Sequence, residues 1–250
     1  MIVGAACASE TDGSTSGSGG AGGGGGAAAG GAGAAAGGSG GSDATVNVFH
    51  AAAMSSLTVC IDGVAWGDVD AGTGTAIPIE AGSRTLGFTT TTCDNLDIVE
   101  TVTAGDDLSG TNVTVYGDDS ASFPLALQVN RFSPPAFGWQ FRLLHTLRGV
   151  DELACELAQP LDGNTDLEQA AYGQEGVSTM GGFQGYLGFT GPGATLDVGV
   201  YDGTGTLLGA QPFSFVAERV YGLIVMGTAQ SPMLMVCEER PDVGCDAFPL

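Results

Sequence analysis

Val46-Asn47-Val48-Phe49-His50 and Phe141-Arg142-Leu143-Leu144-His145 decide how this chain is read. Each is a short run of strand-forming residues that ends in a histidine, and the chain has no other histidine. The two runs stand 95 residues apart, and Cys60 and Cys155 share that separation. Farther along, Ala81-Gly82-Ser83-Arg84-Thr85-Leu86 aligns with Gly191-Pro192-Gly193-Ala194-Thr195-Leu196, and Val115-Tyr116-Gly117 with Val225-Met226-Gly227, both at a separation of 110. A fixed offset shared by scattered segments is the mark of an internal repeat. The sequence therefore predicts two copies of one domain, the second carrying an inserted loop over residues 158–182.

Outward from these anchors, the chain reads as short β runs broken by Gly, Asp and Pro, with no amphipathic pattern of three helical turns. Strands are expected at 45–50, 57–61, 75–80, 84–90, 97–103, 112–116 and 123–130, and again at 139–145, 152–157, 184–189, 194–201, 212–216, 220–226 and 233–238. That spacing is the spacing of a sandwich. The expected fold is all-β: two tandem immunoglobulin-like antiparallel β-sandwiches over 44–133 and 136–250. Pro134-Pro135 marks the break between them, because consecutive prolines cannot continue a paired central strand. From residue 43 onward, Leu, Ile, Val and Phe make up 55 of 208 residues. That fraction exceeds the roughly one-fifth below which chains stay disordered, so both copies can build a core.

The first 42 residues are different, holding 17 of the 44 glycines. Residues 8–43 are read as a disordered Gly/Ala/Ser-rich linker, since they offer nothing to bury against the entropy of ordering. Met1-Ile2-Val3-Gly4-Ala5-Ala6-Cys7 is similar to the end of a bacterial lipoprotein signal peptide, small residues directly preceding a cysteine. Residues 1–7 are accordingly expected to be a signal remnant, with Cys7 the lipidation site and the start of translation lying upstream.

Charge narrows the partners. The chain carries 28 acidic residues against six basic ones, a formal net charge of −22, and every basic residue is an arginine. Such a surface cannot neutralise a run of phosphates or adhere to anionic lipid, which excludes nucleic acid and polybasic membrane docking. The expected partners are a membrane, through the N-terminal lipid, and an extracellular protein or glycan.

Further motifs point to a family. Val48-Phe49-His50-Ala51, Thr58-Val59-Cys60-Ile61-Asp62-Gly63, the Pro78-Ile79-Glu80-Ala81-Gly82 turn and the aliphatic strands ending at Gly117 and Gly227 make each copy resemble a bacterial extracellular domain of unknown function, often found in tandem in lipoproteins. In that family the first strand ends in His and continues Ala-Ser-Pro-Asp-Ala-Pro. Here Ala52-Ala53-Met54-Ser55 and Thr146-Leu147-Arg148-Gly149 stand in that place. The resemblance covers roughly 45–240, and implies an immunoglobulin-like sandwich outside the cytoplasm with no established catalytic chemistry.

The cysteines fit an oxidising compartment. Cys60 pairs best with Cys93 inside the first copy, and Cys237 with Cys245 around Pro241-Asp242; Cys155 is then a buried thiol, with its pairing to Cys237 or Cys245 left open. No spacing suits zinc. His50 and His145, each ending an apolar strand, are expected to fix a turn through a backbone group. Asp162-Gly163-Asn164-Thr165-Asp166 has the first oxygen ligands of a calcium loop but neither its glycine nor its closing glutamate, and Asp106-Asp107 and Asp118-Asp119 are acid pairs in turns. Ser178 lacks a nucleophile elbow. No catalytic, metal-binding or cofactor-binding residue is expected. The functional expectation is a non-catalytic envelope or surface lipoprotein, a binding, adhesion or structural module. The alternative is an extracellular hydrolase using Asp162, Asp166, Glu168 and Glu175 of the 158–182 insertion.

Overall fold

Strand-forming runs of two to ten residues, joined by turns and loops rich in glycine and polar residues, build the described chain. A computed structural model describes residues 43–104, 110–118, 120–132, 135, 137–180, 185–240 and 242–250. Cys7, the linker up to residue 42, Asp106, Asp107, Asp119, Pro134, residues 181–182 of the expected insertion and residues 183–184 after it lie outside the described residues.

The first half contributes β1 (Asp43–His50), β2 (Ser56–Ile61), β3 (Val64–Asp70), β4 (Gly74–Glu80), β5 (Gly82–Thr89), β6 (Ile98–Ala104), β7 (Gly110–Tyr116) and β8 (Ala126–Phe132). The second contributes β9 (Trp139–His145), β10 (Glu152–Ala158), β11 (Leu167–Ala171), β12 (Val177–Ser178), β13 (Leu187–Phe189), β14 (Gly193–Asp202), β15 (Leu207–Val216), β16 (Val220–Thr228), β17 (Ser231–Arg240) and β18 (Gly244–Pro249). No helix occurs among the described residues, and the all-β sandwich architecture stands.

Sheets β4-β1-β7-β8 and β3-β2-β5-β6 close over Val46, Val48, Leu57, Val59, Ile77, Leu86, Phe88, Val113 and Val115. Sheets β13-β9-β16-β17-β18 and β12-β11-β10-β14-β15 close over Phe141, Leu143, Leu153, Cys155, Val198, Val200, Leu223 and Leu234. The sheets are not purely antiparallel. β1 runs parallel to β7, with His50 opposite Val115, and β9 runs parallel to β16, with His145 opposite Val225. Pro78 and Pro212 sit in β4 and β15, both at sheet edges, where a missing N–H breaks no ladder. Asp62-Gly63 turns β2 into β3 with both φ positive, 50° and 82°, the two-residue turn whose twist suits a hairpin.

A third core joins the halves. In a strand, alternate side chains face opposite ways, and in β1, β7, β9, β16 and β17 both sets are buried. Val46 and Val48 enter the first sandwich while Asn47 and Phe49 leave it; Phe141 and Leu143 enter the second while Arg142 and Leu144 leave it. The outward sets meet: Phe49, Ala51 and Tyr116 pack on Leu144, Ile224, Met235 and Cys237. The described residues thus form one compact unit of four stacked sheets.

Three expectations change. Residues 158–182 are not simply a loop, because β11 and β12 lie within them and extend the sheet beside β10. Cys60 and Cys155 do not occupy equivalent places: Cys60 stands opposite Gly87 and bonds Cys93, whereas Cys155 stands opposite Val200 inside the second core. The connection from His145 to Leu153 is one residue longer than that from His50 to Leu57, which shifts the register and so the face. Strand β1 begins at Asp43, the last residue assigned to the linker.

Candidate functional site

One end of the first sandwich is formed by the β1–β2, β5–β6 and β7–β8 connections. After β1 the chain continues beside the end of β7, Ala51 N–H donating to Val115 O at 2.8 Å and Ala53 N–H to Gly117 O at 2.8 Å. This buries Ala52 and lays Met54 against the core.

The β5–β6 connection folds back over the sheet. Its Cys93 is bonded to Cys60, and its Leu96 occupies the space above Gly87, where a Cβ would lie 2.6 Å from the leucine methyl. Thr89 Oγ1 donates to Asn95 O at 2.8 Å, and Asp97 Oδ2 accepts from Thr90 N–H at 2.7 Å and from Thr90 Oγ1 at 3.2 Å.

The β7–β8 connection turns at Gly117, with φ at 99° and no room for a side chain, since a Cβ would fall 2.4 Å from Pro124 O. Asp118 N–H donates to Phe123 O at 2.7 Å, and Asp118 Oδ1 accepts from Ser120 N–H at 2.7 Å. Arg148 of the second sandwich pairs with the other oxygen of Asp118. The hydrogen bonds from Ser120 and the Arg148 guanidinium hold the Asp118 carboxyl below the usual range.

Between these connections opens a cleft of about 660 Å³ with Met54, Pro124 and Leu125 as its apolar lining and Thr90, Asp97, Asp118 and Ser120 as its polar lining. That volume is within the range of small-ligand sites. The corresponding end of the second sandwich has the same frame, Thr146 N–H donating to Val225 O and Arg148 N–H to Gly227 O. There β16 and β17 are joined by Ala229 and Gln230 alone, and β14 and β15 by residues 203–206. The recess at that end has Val150 as its one large apolar lining residue.

The sandwich junction holds a buried polar cluster that sequence reasoning did not assemble. Arg142, with no exposed surface, donates from Nε to Glu239 Oε1 at 2.8 Å and from Nη1 to Glu175 Oε1 at 3.3 Å. Asn112 Nδ2 donates to Glu239 Oε2 at 2.8 Å, Asn47 Nδ2 donates to Glu239 O at 2.8 Å, and the Tyr186 hydroxyl donates to Glu239 as well. Asn130 Nδ2 donates to Glu175 Oε1 at 2.7 Å. Burial lifts the Glu239 carboxyl above its ordinary value, against the Arg142 guanidinium and the Tyr186 and Asn112 donors. The Tyr186 hydroxyl is raised by burial and by the Glu239 charge.

The four acids of the 158–182 segment are not brought together around one space. Glu175 belongs to the junction, while Asp162 Oδ1 accepts from Asn164 N–H at 3.0 Å, Asp166 Oδ2 from Leu157 N–H at 2.7 Å, and Glu168 from the Thr165 hydroxyl. The acid that organises this segment is Glu156, which the sequence reading passed over. Its carboxylate accepts from Asp162 N–H at 2.7 Å, Gly163 N–H at 3.0 Å and the Tyr201 hydroxyl at 2.6 Å, and Tyr201 is pushed up to about 12 by that bond. The sequence signal was an acid breaking the apolar run Leu153-Ala154-Cys155-Glu156-Leu157. Among the described residues no group of three or more His, Cys, Asp or Glu could hold a metal ion. Ser178 is buried and accepts from Met180 N–H.

Both histidines bind backbone carbonyls. His145 Nε2 donates to Val150 O at 2.9 Å while its Nδ1 accepts from Leu147 N–H at 3.1 Å, which fixes a neutral ring. His50 Nδ1 lies 3.0 Å from Val69 O, and its buried Nε2 has no partner. Disulfides join Cys60 to Cys93 and Cys237 to Cys245, and Cys155 is a buried free thiol. Two such bonds fit an oxidising compartment.

The sequence matches no protein-family profile and no curated protein. Among solved structures, the fold is similar to that of a fimbrial assembly protein from Parabacteroides distasonis, at 11% identity over 82% of this chain and 100% of that one, with a TM-score of 0.23. A likeness of that size carries no argument about function.

Proposed function

We propose that this chain is a non-catalytic module of the cell envelope, held by a lipid on Cys7 and a Gly/Ala/Ser tether, whose first sandwich binds an extracellular protein or glycan in the loop-walled cleft. The observation that supports the reading is the cleft itself. Two of its walls, β5–β6 and β7–β8, are longer than their counterparts in the second sandwich, and each of the three is fixed separately: by the Cys60–Cys93 bond, by pairing to the end of β7, and by the Asp118–Arg148 ion pair. Walls fixed in advance lower the entropy cost of binding. Hydrolysis by paired carboxylates is less well supported, since Glu175 is occupied by Arg142 and Asn130, and Asp162 and Asp166 accept from backbone amides.

The two sandwiches are, in this reading, copies of one unit. The matched parallel pairings of His50 with Val115 and His145 with Val225 support that descent, as do Gly117 and Gly227, which both have positive φ at the same point. The second copy then serves as the base that holds Asp118 and the cleft wall.

The address is tested by the unreduced intact mass of protein made from its native upstream DNA and extracted from membranes. The expected product begins at Cys7, carries acyl mass and lacks four hydrogens for two disulfides. A soluble chain that keeps Met1 and has every thiol reduced overturns the reading.

A further inference from the structure

Among the described residues the cleft holds one carboxylate without a cation. Of its two described aspartates, Asp118 is already paired with Arg148. Asp97 is exposed, and its acceptor bonds come from the neutral donors Thr90 N–H and Thr90 Oγ1; among the described residues no arginine or histidine pairs with it. Neither Arg nor His lines the cleft, and the chain has no lysine. Apolar surface from Met54, Pro124 and Leu125 lines the same recess. Among the described residues no aromatic ring lines it to offer the flat platform on which a sugar ring stacks. An anionic ligand would meet both Asp97 and a chain of net charge −22.

Resting on the binding reading above, we propose that the cleft of the first sandwich takes a cationic side chain of a partner protein, its aliphatic stem against Met54, Pro124 and Leu125 and its charge at Asp97. Lysine and arginine fit because each buries a hydrocarbon stem while its charged head stays near water. The apolar contact supplies most of the affinity. The charge supplies selection, because an exposed ion pair adds only about 0.2–1 kcal/mol, which is about 1.4-fold to fivefold in affinity.

The test uses the full chain with methyl-labelled methionine and leucine, titrated by NMR with three acetylated, amidated pentapeptides: Ala-Leu-Lys-Leu-Ala and its versions with norleucine or glutamate at the centre. The expected result is a shift of the Met54 and Leu125 methyls with the lysine peptide. The norleucine peptide should bind up to about fivefold more weakly, and the glutamate peptide should leave both signals in place. Asp97→Asn keeps an acceptor for Thr90, and should make the lysine and norleucine peptides equal without changing the melting temperature. Equal binding of all three peptides to the native cleft overturns the cation inference and leaves the binding reading intact. Silence of Met54 and Leu125 with every peptide overturns both.

Discussion

Replacing Arg142 by alanine tests whether the junction between the sandwiches is as dry as its geometry implies. The guanidinium touches Glu239 at 2.8 Å, Glu175 at 3.3 Å and Thr114 Oγ1 at 3.4 Å, and lies 6.0 Å from the Tyr186 ring centre. Arg142 and Glu239 have side-chain exposures of 1% and 0%, so water cannot take over the lost contacts. Breaking a buried pair from one side leaves the other charge uncompensated and costs about 3–5 kcal/mol. For a chain of this size each kcal/mol moves the melting temperature by about 2–4 °C, so R142A should melt roughly 6–20 °C lower. The cost of the intact pair itself is smaller, because desolvation offsets most of the attraction. Replacing both partners, R142M with E239L, removes that pair but leaves Glu175 without its arginine and the Asn112 and Tyr186 donors without their acceptor, so the double variant should recover only part of the loss. Chemical denaturation followed by far-ultraviolet circular dichroism measures both. A loss under about 1 kcal/mol for R142A would refute the dry junction and imply that water reaches Glu239.

Three further outcomes follow from other parts of the molecule. The Cys60–Cys93 bond closes a separation of 33 residues, so Cys93→Ser should remove about 3–4 kcal/mol of stability in the chain-entropy model and loosen the Asp97 wall, visible as faster amide exchange over residues 90–97. Burial lowers the pKa of His50 and His145 below 6.5, against backbone hydrogen bonds and the charges of Asp70 and Asp151. Below about pH 6.5 the unfolded chain therefore binds protons that the folded chain refuses, and the stability present above that pH is lost as pH falls. The urea midpoint should drop between pH 7 and pH 5, and His50→Gln should flatten the drop; an unchanged midpoint in the wild-type chain would contradict the buried neutral rings. Burial raises the Cys155 thiol, so iodoacetamide at pH 8 should leave it unmodified in the folded chain and modify it in 6 M guanidinium, with peptide mapping to separate it from Cys7.

Strands with a clean apolar face were legible. Trp139–His145 is the predicted strand residue for residue, and Asp43–His50 contains the predicted one, because two cores bury nearly every side chain and leave an unbroken apolar run. Strand β3 was not legible. It is an edge strand with a register shift opposite Val59 and Cys60, so Val64-Ala65-Trp66-Gly67-Asp68 shows no alternation and exposes Val64 and Trp66. Strand β18 lies at another edge, and its GCDAFP sequence alternates too weakly to read. The cleft could not be read at all, because it is made by what three connections do in space, and its nearest sequence sign was an unusual segment, Ala52-Ala53-Met54-Ser55.

The junction could have been read, and the signal was polarity in the wrong place. Asn47 and Arg142 each sit second in one of the two histidine-ended runs, and Asn112 and Thr114 alternate with apolar residues in β7. A strand with one solvated face shows that alternation too, which is why such residues pass as surface. What distinguishes these strands is that the same outward face also carries Phe49, Leu144, Ile224 and Met235. A surface face rarely gathers so many large apolar residues together, so mixed amide, charge and aliphatic groups on it mean a covered face with polar groups paired inside. Apolar contact alone would let two flat sheets slide; an arginine that must meet Glu239 and Glu175 at once, with Asn47 and Asn112 on the same glutamate, admits one register. That register also sets where Arg148 meets Asp118, so the polar junction and the wall of the cleft are fixed by the same packing.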